Sequence, residues 1–353
     1  MEKGDPKPTV TESFPMSGGD GAHSYARNSS LQRGGLFNAL NKSREAILAN
    51  LDLRNPNFDR NNNIVRIADF GCSVGPNTFD AVKHIIDTVK LRFRQEDDVD
   101  DDLQDLEFHV FFNDQSNNDF NTLFKTLPKN ENCFAAGVPG SFYGRVFPRN
   151  SLHIGHTSYT LHWLSRVPGE NIGKQNSPAH KEQFEKDIEN FLEARSEELV
   201  PGGLMIVLGL CISDGVPFAQ TGKGIVMEIF LGCLIDIAKA GIISEEKAKT
   251  FSFPKYFPHF SEVKEAMERN RRFSVEMMEE IKHAYEDVDV GHELVVSVYR
   301  GLYHGVLVEH FGESSVDVLF DRFAEELTKC PLDDIKKTAS DREYVIVLRR
   351  NLV

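Results

Sequence analysis

Residues 64–77 place one acid and two glycines where an α/β protein could hold a polar ligand. The segment opens with a short apolar, β-branched run, which predicts a buried strand ending at Asp69. Gly71 and Gly75 then predict a tight turn into a helix. Such a turn presents backbone N–H groups at the carboxyl edge of a sheet, so Gly71 would let a ligand approach the backbone. Asp69 could accept a hydrogen bond from a ligand amino group or from a bridging water.

The spacing of these residues argues against a dinucleotide. NAD-binding folds favour Gly-x-Gly-x-x-Gly, whereas this chain has Asp69-x-Gly71-x-x-x-Gly75. The alternative is an ordinary βα turn in another α/β protein. Apolar residues at helical spacing predict the following helix over residues 78–93, with Asn77 as its N-cap.

Two later segments could complete a nucleoside site. A strand predicted over Glu107–Asp114 ends in an acid, and a carboxylate there could accept from both ribose hydroxyls. Helix capping is the alternative role for Asp114. In the glycine- and proline-rich loop 137–148, Ser141 and Phe142 offer a polar edge and an apolar face to a purine ring.

A third predicted strand, Leu152–His156, leads into residues 157–164, which carry hydroxyl, imidazole and indole groups together. Trp163, the only tryptophan, lies there as either a pocket wall or a core residue. Tyr25, Ser29 and Gln32 are spaced i, i+4 and i+7, so they would share one face of a helix. A solvated N-terminal helix is the alternative for that segment.

The remaining pattern predicts an α/β fold, a doubly wound, mostly parallel sheet with an α-helical cap. An amphipathic helix over residues 183–199 is stopped by Pro201-Gly202-Gly203, and a strand follows over 204–210. Residues 213–310 predict an all-helical insertion that walls a small apolar pocket from water. Its candidate wall residues are Phe218, Phe230, Tyr256, Tyr299 and Tyr303.

We therefore expect five regions. They are a disordered N-terminus (1–15), an N-terminal lid or helix over the site (16–60), the ligand-binding α/β core (61–212), the helical cap that forms the pocket (213–312), and a C-terminal helix and strand that return to the edge of the core sheet (313–353).

Composition excludes several function classes. The chain of 353 residues has 40 basic and 54 acidic residues, a formal charge of -14, which argues against nucleic acid as a partner. Five cysteines are scattered without metal-binding spacing, as expected in a reducing compartment. We find no apolar run of signal-peptide or membrane-spanning type, so the sequence predicts a cytoplasmic protein with no membrane partner.

A series of motifs in a fixed order resembles the plant salicylate/benzoate/theobromine (SABATH) methyltransferases. These motifs are Met16-x-Gly-Gly-x-Gly, Ser24-Tyr-Ala-x-Asn-Ser-x-x-Gln32, Ala68-Asp-x-Gly-Cys-Ser-x-Gly-Pro-Asn77, Asn113-Asp114, Asn118-Asp-Phe-Asn121, Gly137-Val-Pro-Gly-Ser-Phe-Tyr-Gly144 and Ser158-Tyr-x-Leu-x-Trp-Leu-Ser165. Residues 111–128 look closest to the farnesoate carboxyl methyltransferase branch.

This resemblance implies a sheet of the class I methyltransferase type, and a homodimer that uses S-adenosylmethionine to methylate a small lipophilic acid or, in some members, a ring nitrogen. The family's cofactor positions fall on Tyr25, Ser29, Asp69, Asn77, Asp114, Ser141 and Phe142, and Gly71 and Cys72 in the same turn are our further cofactor candidates. Its substrate positions fall on Gln32, Tyr159 and Trp163, with Gln32 and Trp163 in the catalytic role. Our further candidates for substrate binding are Tyr25, Ser158, His162, Tyr299 and Tyr303.

The implied chemistry needs no general base. A carboxylic acid is already ionised at pH 7, so the protein mainly has to align it with the methyl donor. Gln32 and Trp163, which hold the carboxylate in carboxyl-methylating members, are both present and favour O-methylation. His156 and His162 are then pocket walls. A purine N-methyltransferase and a catalytically silent binder remain the alternatives.

One departure from the family concerns magnesium. Some members carry Asp-x-Phe-Asn where this chain has Lys249-Thr250-Phe251-Ser252. A hard cation requires carboxylate and amide oxygens, and Lys249 would repel it. We therefore expect no metal site in the Phe251 region.

Overall fold

The structure, a computed structural model, describes residues 15–55, 63–97, 106–129, 132–168, 175–283, 291–336 and 341–352. Its centre is a seven-stranded sheet of order β3-β2-β1-β4-β5-β7-β6. β3, β2, β1, β4 and β5 are parallel, whereas β7 is antiparallel to both of its neighbours. The strands are β1 (Ile64–Phe70), β2 (Glu107–Asp114), β3 (Cys133–Pro139), β4 (Leu152–Ser158), β5 (Leu199–Ile212), β6 (Phe273–Lys282) and β7 (Asp341–Arg350).

Helices cover both faces of this sheet. Alternate residues of β1 point to opposite faces of the sheet. Ile67 packs in a core shared with α1 and α2 on one face, and Phe70 packs in a core shared with α4 and α7 on the other. The helices are α1 (Ser30–Asn50), α2 (Pro76–Asp97), α3 (Phe120–Thr126), α4 (Pro178–Glu198), α5 (Gly222–Lys239), α6 (Glu245–Thr250), α7 (Phe260–Arg269), α8 (His292–Phe311), α9 (Glu313–Leu327) and α10 (Leu332–Lys336).

A third hydrophobic core lies in the cap, where α5, α8 and α9 pack together. Phe230 of α5 is its centre and is fully buried. Its ring lies 5.0 Å from that of Phe323, 5.7 Å from Tyr299 and 5.9 Å from Phe253, all measured between centroids. Aromatic pairs at these distances add to the stability that burial provides.

The predicted fold class is confirmed, since the sheet is mostly parallel, doubly wound and capped by helices. The predicted regions need two corrections. The insertion after residue 213 is not all helical, because β6 lies within it and pairs with β7 at the sheet edge. For the same reason β7 lies inside the sheet and not at its edge, and α9 packs on α5 and α8 in the cap.

Three local predictions were also wrong. Pro201-Gly202-Gly203 does not separate the helix from the strand, because β5 begins at Leu199 and passes through it with Gly202 at φ +83°. α2 begins at Pro76, so Asn77 lies in its first turn and is not the N-cap. We also did not predict β3, whose residues were assigned to a loop from 137 onward.

The N-terminal region is divided by the start of α1. Tyr25 and Ser29 precede the helix in hydrogen-bonded turns, so they do not share a helical face with Gln32 as predicted. α1 itself packs on α2 and β7, and residues such as Leu36 and Leu40 belong to the main core. The predicted disordered segment lies outside the described residues, except for its last position, 15.

Candidate active site

Two adjoining cavities open at the carboxyl ends of β1, β2 and β4. The larger, which we call the main cavity, holds about 150 Å³ between the sheet and the cap. The smaller, which we call the turn cavity, lies at the glycine turn after β1. They share a wall formed by Tyr25, Gln32, Gly71, Ser73, Ser158 and Tyr159.

The turn after β1 depends on Gly71. Its φ is +81°, and its N–H donates to the Asn113 carbonyl across a distance of 2.8 Å. A Cβ at this position would lie 2.2 Å from Cγ2 of Thr160. Only glycine therefore fits, both for its backbone conformation and for the close approach of the next segment.

Asp69 is almost completely buried beneath this turn. Its Oδ1 pairs with Nδ1 of His156 at 2.7 Å, and its Oδ2 accepts a hydrogen bond from the Thr78 hydroxyl. The carboxylate lines the turn cavity, with both oxygens fixed in position by the protein.

Asp114 ends β2 on the wall of the main cavity. Its two oxygens accept backbone N–H groups of Ser73 and Gln115, each at 2.7 Å. Burial raises the pKa of this carboxyl from 3.8 to about 6, although both hydrogen bonds act in the opposite direction. A buried acid beside the turn suits hydroxyl donors of a ligand.

Among the described residues that line the turn cavity, three polar side-chain atoms are buried without a hydrogen-bond partner. They are Oγ of Ser73, Oδ1 of Asn77 and Oε1 of Gln32. Asn77 is held in place through its other amide atom, which donates to the Ser29 carbonyl at 3.1 Å. Leaving such groups unpaired costs free energy, so their presence indicates a polar ligand.

Phe142 forms the apolar wall beyond Asp114. Its ring packs 4.7 Å from that of Tyr143, and its carbonyl accepts a hydrogen bond from Nη1 of buried Arg195 at 2.7 Å. The Tyr143 hydroxyl donates to the Trp163 carbonyl. A hydrogen bond therefore connects the loop 137–148, which carries the candidate purine contacts, with the segment 157–164, which contains Trp163.

Aromatic side chains form the cap side of the main cavity. The ring of half-buried Trp163 lies 6.1 Å from Tyr303, which lies 5.2 Å from Tyr299. His162 is buried beside them with its Nδ1 unpartnered in the described part of the chain. Burial lowers the pKa of His162 well below its usual value, and the nearby cations of Lys255 and Lys223 lower it further. It is therefore a neutral wall residue near pH 7.

Tyr159 lies on the wall that the two cavities share. It has a φ of +56°, and its hydroxyl donates to Oε2 of Glu343 at 2.7 Å. Gly35 of α1 makes this pair possible, because a Cβ there would lie 2.1 Å from the tyrosine Oη. A positive φ in a tyrosine is a strained conformation that the surrounding structure must maintain.

The structure brings most predicted site residues together. The main cavity is lined by Tyr25, Gln32, Gly71, Asp114, Phe142, Ser158, Tyr159, His162, Trp163, Tyr299 and Tyr303, and the turn cavity adds Asp69, Cys72 and Asn77. Ser29 and Ser141 line neither of these two cavities. Ser29 is buried behind Asn77, and the Ser141 hydroxyl accepts from the Tyr143 N–H at 3.4 Å.

Four candidate wall residues were wrong. His156 lines neither cavity, because it is fully buried and pairs with Asp69 beneath the turn. Phe230 is in the cap core, Phe218 stacks behind Phe257, and the Tyr256 hydroxyl donates to Glu262. Sequence reasoning missed the charged and aromatic lining formed by Lys223, Lys255, Phe257, His283 and Glu343. One usable signal was Lys255, a single cation inside the aromatic, proline-interrupted run 251–260.

No group of three or more potential metal ligands occurs among the described residues. In the Phe251 region, exposed Lys249 pairs with Glu245 at 3.3 Å, and Phe251 packs in the cap core. Within the described ranges, no helix combines the length and apolar character needed to cross a membrane.

Comparison with known proteins places this geometry in context. Residues 11–351 match the family model described as SAM dependent carboxyl methyltransferase. The chain is 49% identical to a probable S-adenosylmethionine-dependent methyltransferase of Arabidopsis thaliana (97% of this chain, 99% of the relative). It is 40% identical to the farnesoic acid carboxyl-O-methyltransferase of the same plant (97% and 100%). A solved structure, loganic acid methyltransferase with SAH, matches with a TM-score of 0.87 at 39% identity (96% and 99%).

Proposed function

Because the chain belongs to the S-adenosylmethionine-dependent carboxyl methyltransferases, we propose that its acceptor is a small lipophilic acid held between Gln32 and Trp163 in the main cavity. The activity of the family is the transfer of a methyl group to the carboxylate of a small metabolite. The aromatic part of the cavity wall, formed by Trp163, Phe257, Tyr299 and Tyr303, suits an acceptor that is mostly apolar.

The cofactor belongs in the turn cavity and the adjoining end of the main cavity. Asp114 would accept the ribose hydroxyls, Phe142 would pack against the adenine ring, and the Gly71 turn would face the methionine part. Asn77 and Ser73, with their unpartnered buried oxygens, support a polar ligand at this place. When bound, S-adenosylmethionine supplies a methyl group on a sulfonium leaving group.

The residues around the acceptor act by positioning. The observation that carries this proposal is that Gln32 and Trp163, which both have N–H donors, line the same cavity. An amide and an indole N–H can both donate to one carboxylate, which fixes an oxygen for attack in line with the bond that breaks. Walls of Tyr299, Tyr303 and neutral His162 would exclude water from the reacting atoms.

Two variants test this assignment. We expect Gln32→Ala and Trp163→Ala each to lower ester formation about 100-fold, since each removes a group that orients the carboxylate. The affinity for S-adenosylhomocysteine should stay within about threefold, because neither change touches Asp114 or Gly71. Gln220→Ala, an exposed glutamine outside the cavity, serves as the matched control.

The measurement is transfer of a labelled methyl group across benzoate-like, terpenoid and indole acids. An ester product is hydrolysed in alkali, whereas an N-methylated product is not. Unchanged turnover in both variants would overturn the roles of Gln32 and Trp163. An alkali-stable product would show transfer to nitrogen.

We also propose that the protein is a cytoplasmic homodimer with no membrane or nucleic-acid partner. The acidic composition and the five cysteines, all free thiols, support this proposal. Light scattering after gel filtration tests the dimer directly, and a monomer mass at micromolar concentration would exclude it.

A further inference from the structure

Lys255 is a buried cation on the wall of the main cavity. Only 3% of the residue is exposed. Its ammonium nitrogen lies 3.7 Å from the centroid of the Trp163 ring and 4.6 Å from that of Tyr303. Neither Trp163 nor Tyr303 carries a negative charge, so the cation faces only ring quadrupoles on that side.

The backbone fixes this position. Leu164 N–H donates to the Pro254 carbonyl at 2.7 Å, and Tyr256 N–H donates to the His162 carbonyl at 2.9 Å. These two bonds flank the bridge that pairs Trp163 with Lys255. Lys255 is therefore placed beside the tryptophan by local pairing of two segments, not by chance contact of a flexible side chain.

A second lysine on the same cavity provides a comparison. Lys223 has its ammonium 3.0 Å from Oδ1 of Asp341, so its charge is neutralised by the protein. Within the described ranges, no carboxylate lies within 4 Å of the Lys255 ammonium, and no hydrogen bond from it is found. Burial alone lowers the pKa of Lys255 well below its usual value. A buried ammonium without a counter-ion is costly, so the position requires an explanation.

We propose that Lys255 supplies the counter-charge for the acceptor carboxylate and thereby selects anionic acceptors over neutral ones of the same shape. The inference rests on the proposed function, since it places the acid at the edge of Trp163, next to the ammonium.

The reaction removes the charge that Lys255 recognises. When the carboxylate oxygen forms its bond to the methyl group, the oxygen becomes part of a neutral ester, and the electron pair of the broken bond stays on sulfur. Lys255 therefore stabilises the bound acid more than the transition state or the product. Such an interaction lowers KM without raising kcat, and it favours release of the ester.

The test compares acids with their amides in the presence of S-adenosylhomocysteine, so that no transfer is needed. The probe pairs are benzoate with benzamide, farnesoate with farnesamide, and indole-3-acetate with its amide. Binding is measured by isothermal titration calorimetry. We expect the wild type to bind at least one acid more tightly than its amide. Lys255→Met should weaken that acid about 10- to 100-fold and leave the amide unchanged.

Controls separate charge from structure. Lys255→Arg keeps the charge and should keep the preference for the acid, and Lys249→Met removes an exposed lysine and should change neither affinity. In turnover assays, Lys255→Met should raise KM for the acid with kcat equal to or above that of the wild type.

Two results would contradict the inference. One is a wild type with no preference for the acid in any pair, and the other is an equal loss of acid and amide binding in Lys255→Met, which indicates a packing role. Both differ from failure of the proposed function, in which acids bind selectively and no ester forms.

Discussion

The sheet side and the cap side of the active site hold their polar groups in different ways. On the sheet side, Asp69 and Asp114 are each held at two oxygens by bonds of 2.7 Å or shorter to the protein. On the cap side, Lys223 is paired with Asp341, whereas Lys255 faces two aromatic rings and no carboxylate among the described residues. One side is preorganised by hydrogen bonds within the protein, and the other leaves a charge for the ligand to neutralise.

This difference matches the tasks that we propose for the two sides, cofactor binding on the sheet side and acceptor binding on the cap side. A cofactor common to a whole family requires fixed hydrogen bonds at strand ends, and a turn that admits only glycine maintains them. An acceptor pocket that varies between relatives has to change by substitution of wall residues without disturbing the sheet. The predictions below test whether cofactor binding and acceptor binding can be altered separately.

The largest effect should come from Gly71→Ala. The added Cβ would lie 2.2 Å from Thr160 Cγ2 at a φ of +81°, so the turn or the adjoining segment must move. We expect affinity for S-adenosylhomocysteine to fall more than about 100-fold, as strain and a displaced turn combine. Calorimetric titration measures it.

Gly241→Ala is the matched control for this change. Gly241 has a similar φ of +75° but no atom within 4 Å of the added carbon. It should lose about 1 kcal/mol of stability and keep its cofactor affinity. Equal cofactor affinity in both variants would contradict the role assigned to the Gly71 turn.

Gly35→Ala should act mainly on the acceptor side. Its Cβ would lie 2.1 Å from Oη of Tyr159 and 2.4 Å from Oε2 of Glu343, so the hydrogen bond between them must break or shift. We expect KM for the acceptor acid to rise about 30-fold, since loss of a buried hydrogen bond and displacement of a cavity wall each cost about 1 kcal/mol.

The control for Gly35→Ala is Gly232→Ala, a substitution in open space within α5. In Gly35→Ala, cofactor affinity measured separately should change less than KM for the acceptor. A larger loss of cofactor than of acceptor affinity would show that the two sides are mechanically coupled.

The sheet side was the easier one to predict from sequence. Asp69, Gly71 and Asp114 lie within a few residues of strand ends, so local patterns determine both their identity and their position. The cap side depends on packing between segments far apart in the chain. Trp163 meets Lys255 through a bridge across 92 positions (255 minus 163), and no periodicity predicts that pairing.

The errors in the fold have a similar cause. β6 has an irregular pattern of burial, with an edge exposed to solvent and a register shift after Val275, so its residues lack a clean two-residue alternation. The helix end predicted at Pro201-Gly202-Gly203 rested on the assumption that these residues interrupt regular secondary structure. Here Gly202 forms an irregularity inside β5, and the amide of Asn55 donates to the neighbouring Pro201 carbonyl at 2.8 Å.

A change of pH should alter cofactor affinity by a smaller factor than Gly71→Ala does. Burial raises the pKa of Asp114 to about 6, so this carboxylate, which we propose accepts the ribose hydroxyls, is increasingly protonated below that pH. Affinity for S-adenosylhomocysteine should therefore fall up to about tenfold per pH unit as pH decreases below 6. Titrations between pH 5 and 7.5 measure this.

Asp114→Asn should bind more weakly and show a flat profile over the same range. The sign for folding is opposite. The folded protein binds the Asp114 proton more tightly than the unfolded chain, so this group's contribution to stability decreases as pH rises from about 4 to about 6. If the affinity of Asp114→Asn for S-adenosylhomocysteine depends on pH as steeply as that of the wild type, another group causes the pH dependence.

The smallest predicted effect concerns the aromatic stack behind His162. Phe257 lines the main cavity, and its ring centroid lies 5.5 Å from that of His162. Phe218 stacks on Phe257 at the same centroid distance but does not line the cavity. An aromatic pair contributes about 0.5–1.5 kcal/mol, so Phe257→Leu should change KM for the acceptor about threefold and leave cofactor affinity unchanged. Phe218→Leu removes only the contact between the rings of Phe218 and Phe257, behind the cavity wall, and should change KM less. If Phe218→Leu has the larger effect on KM, the acceptor side depends on support from outside the cavity, and its selectivity cannot be assigned to the lining residues alone.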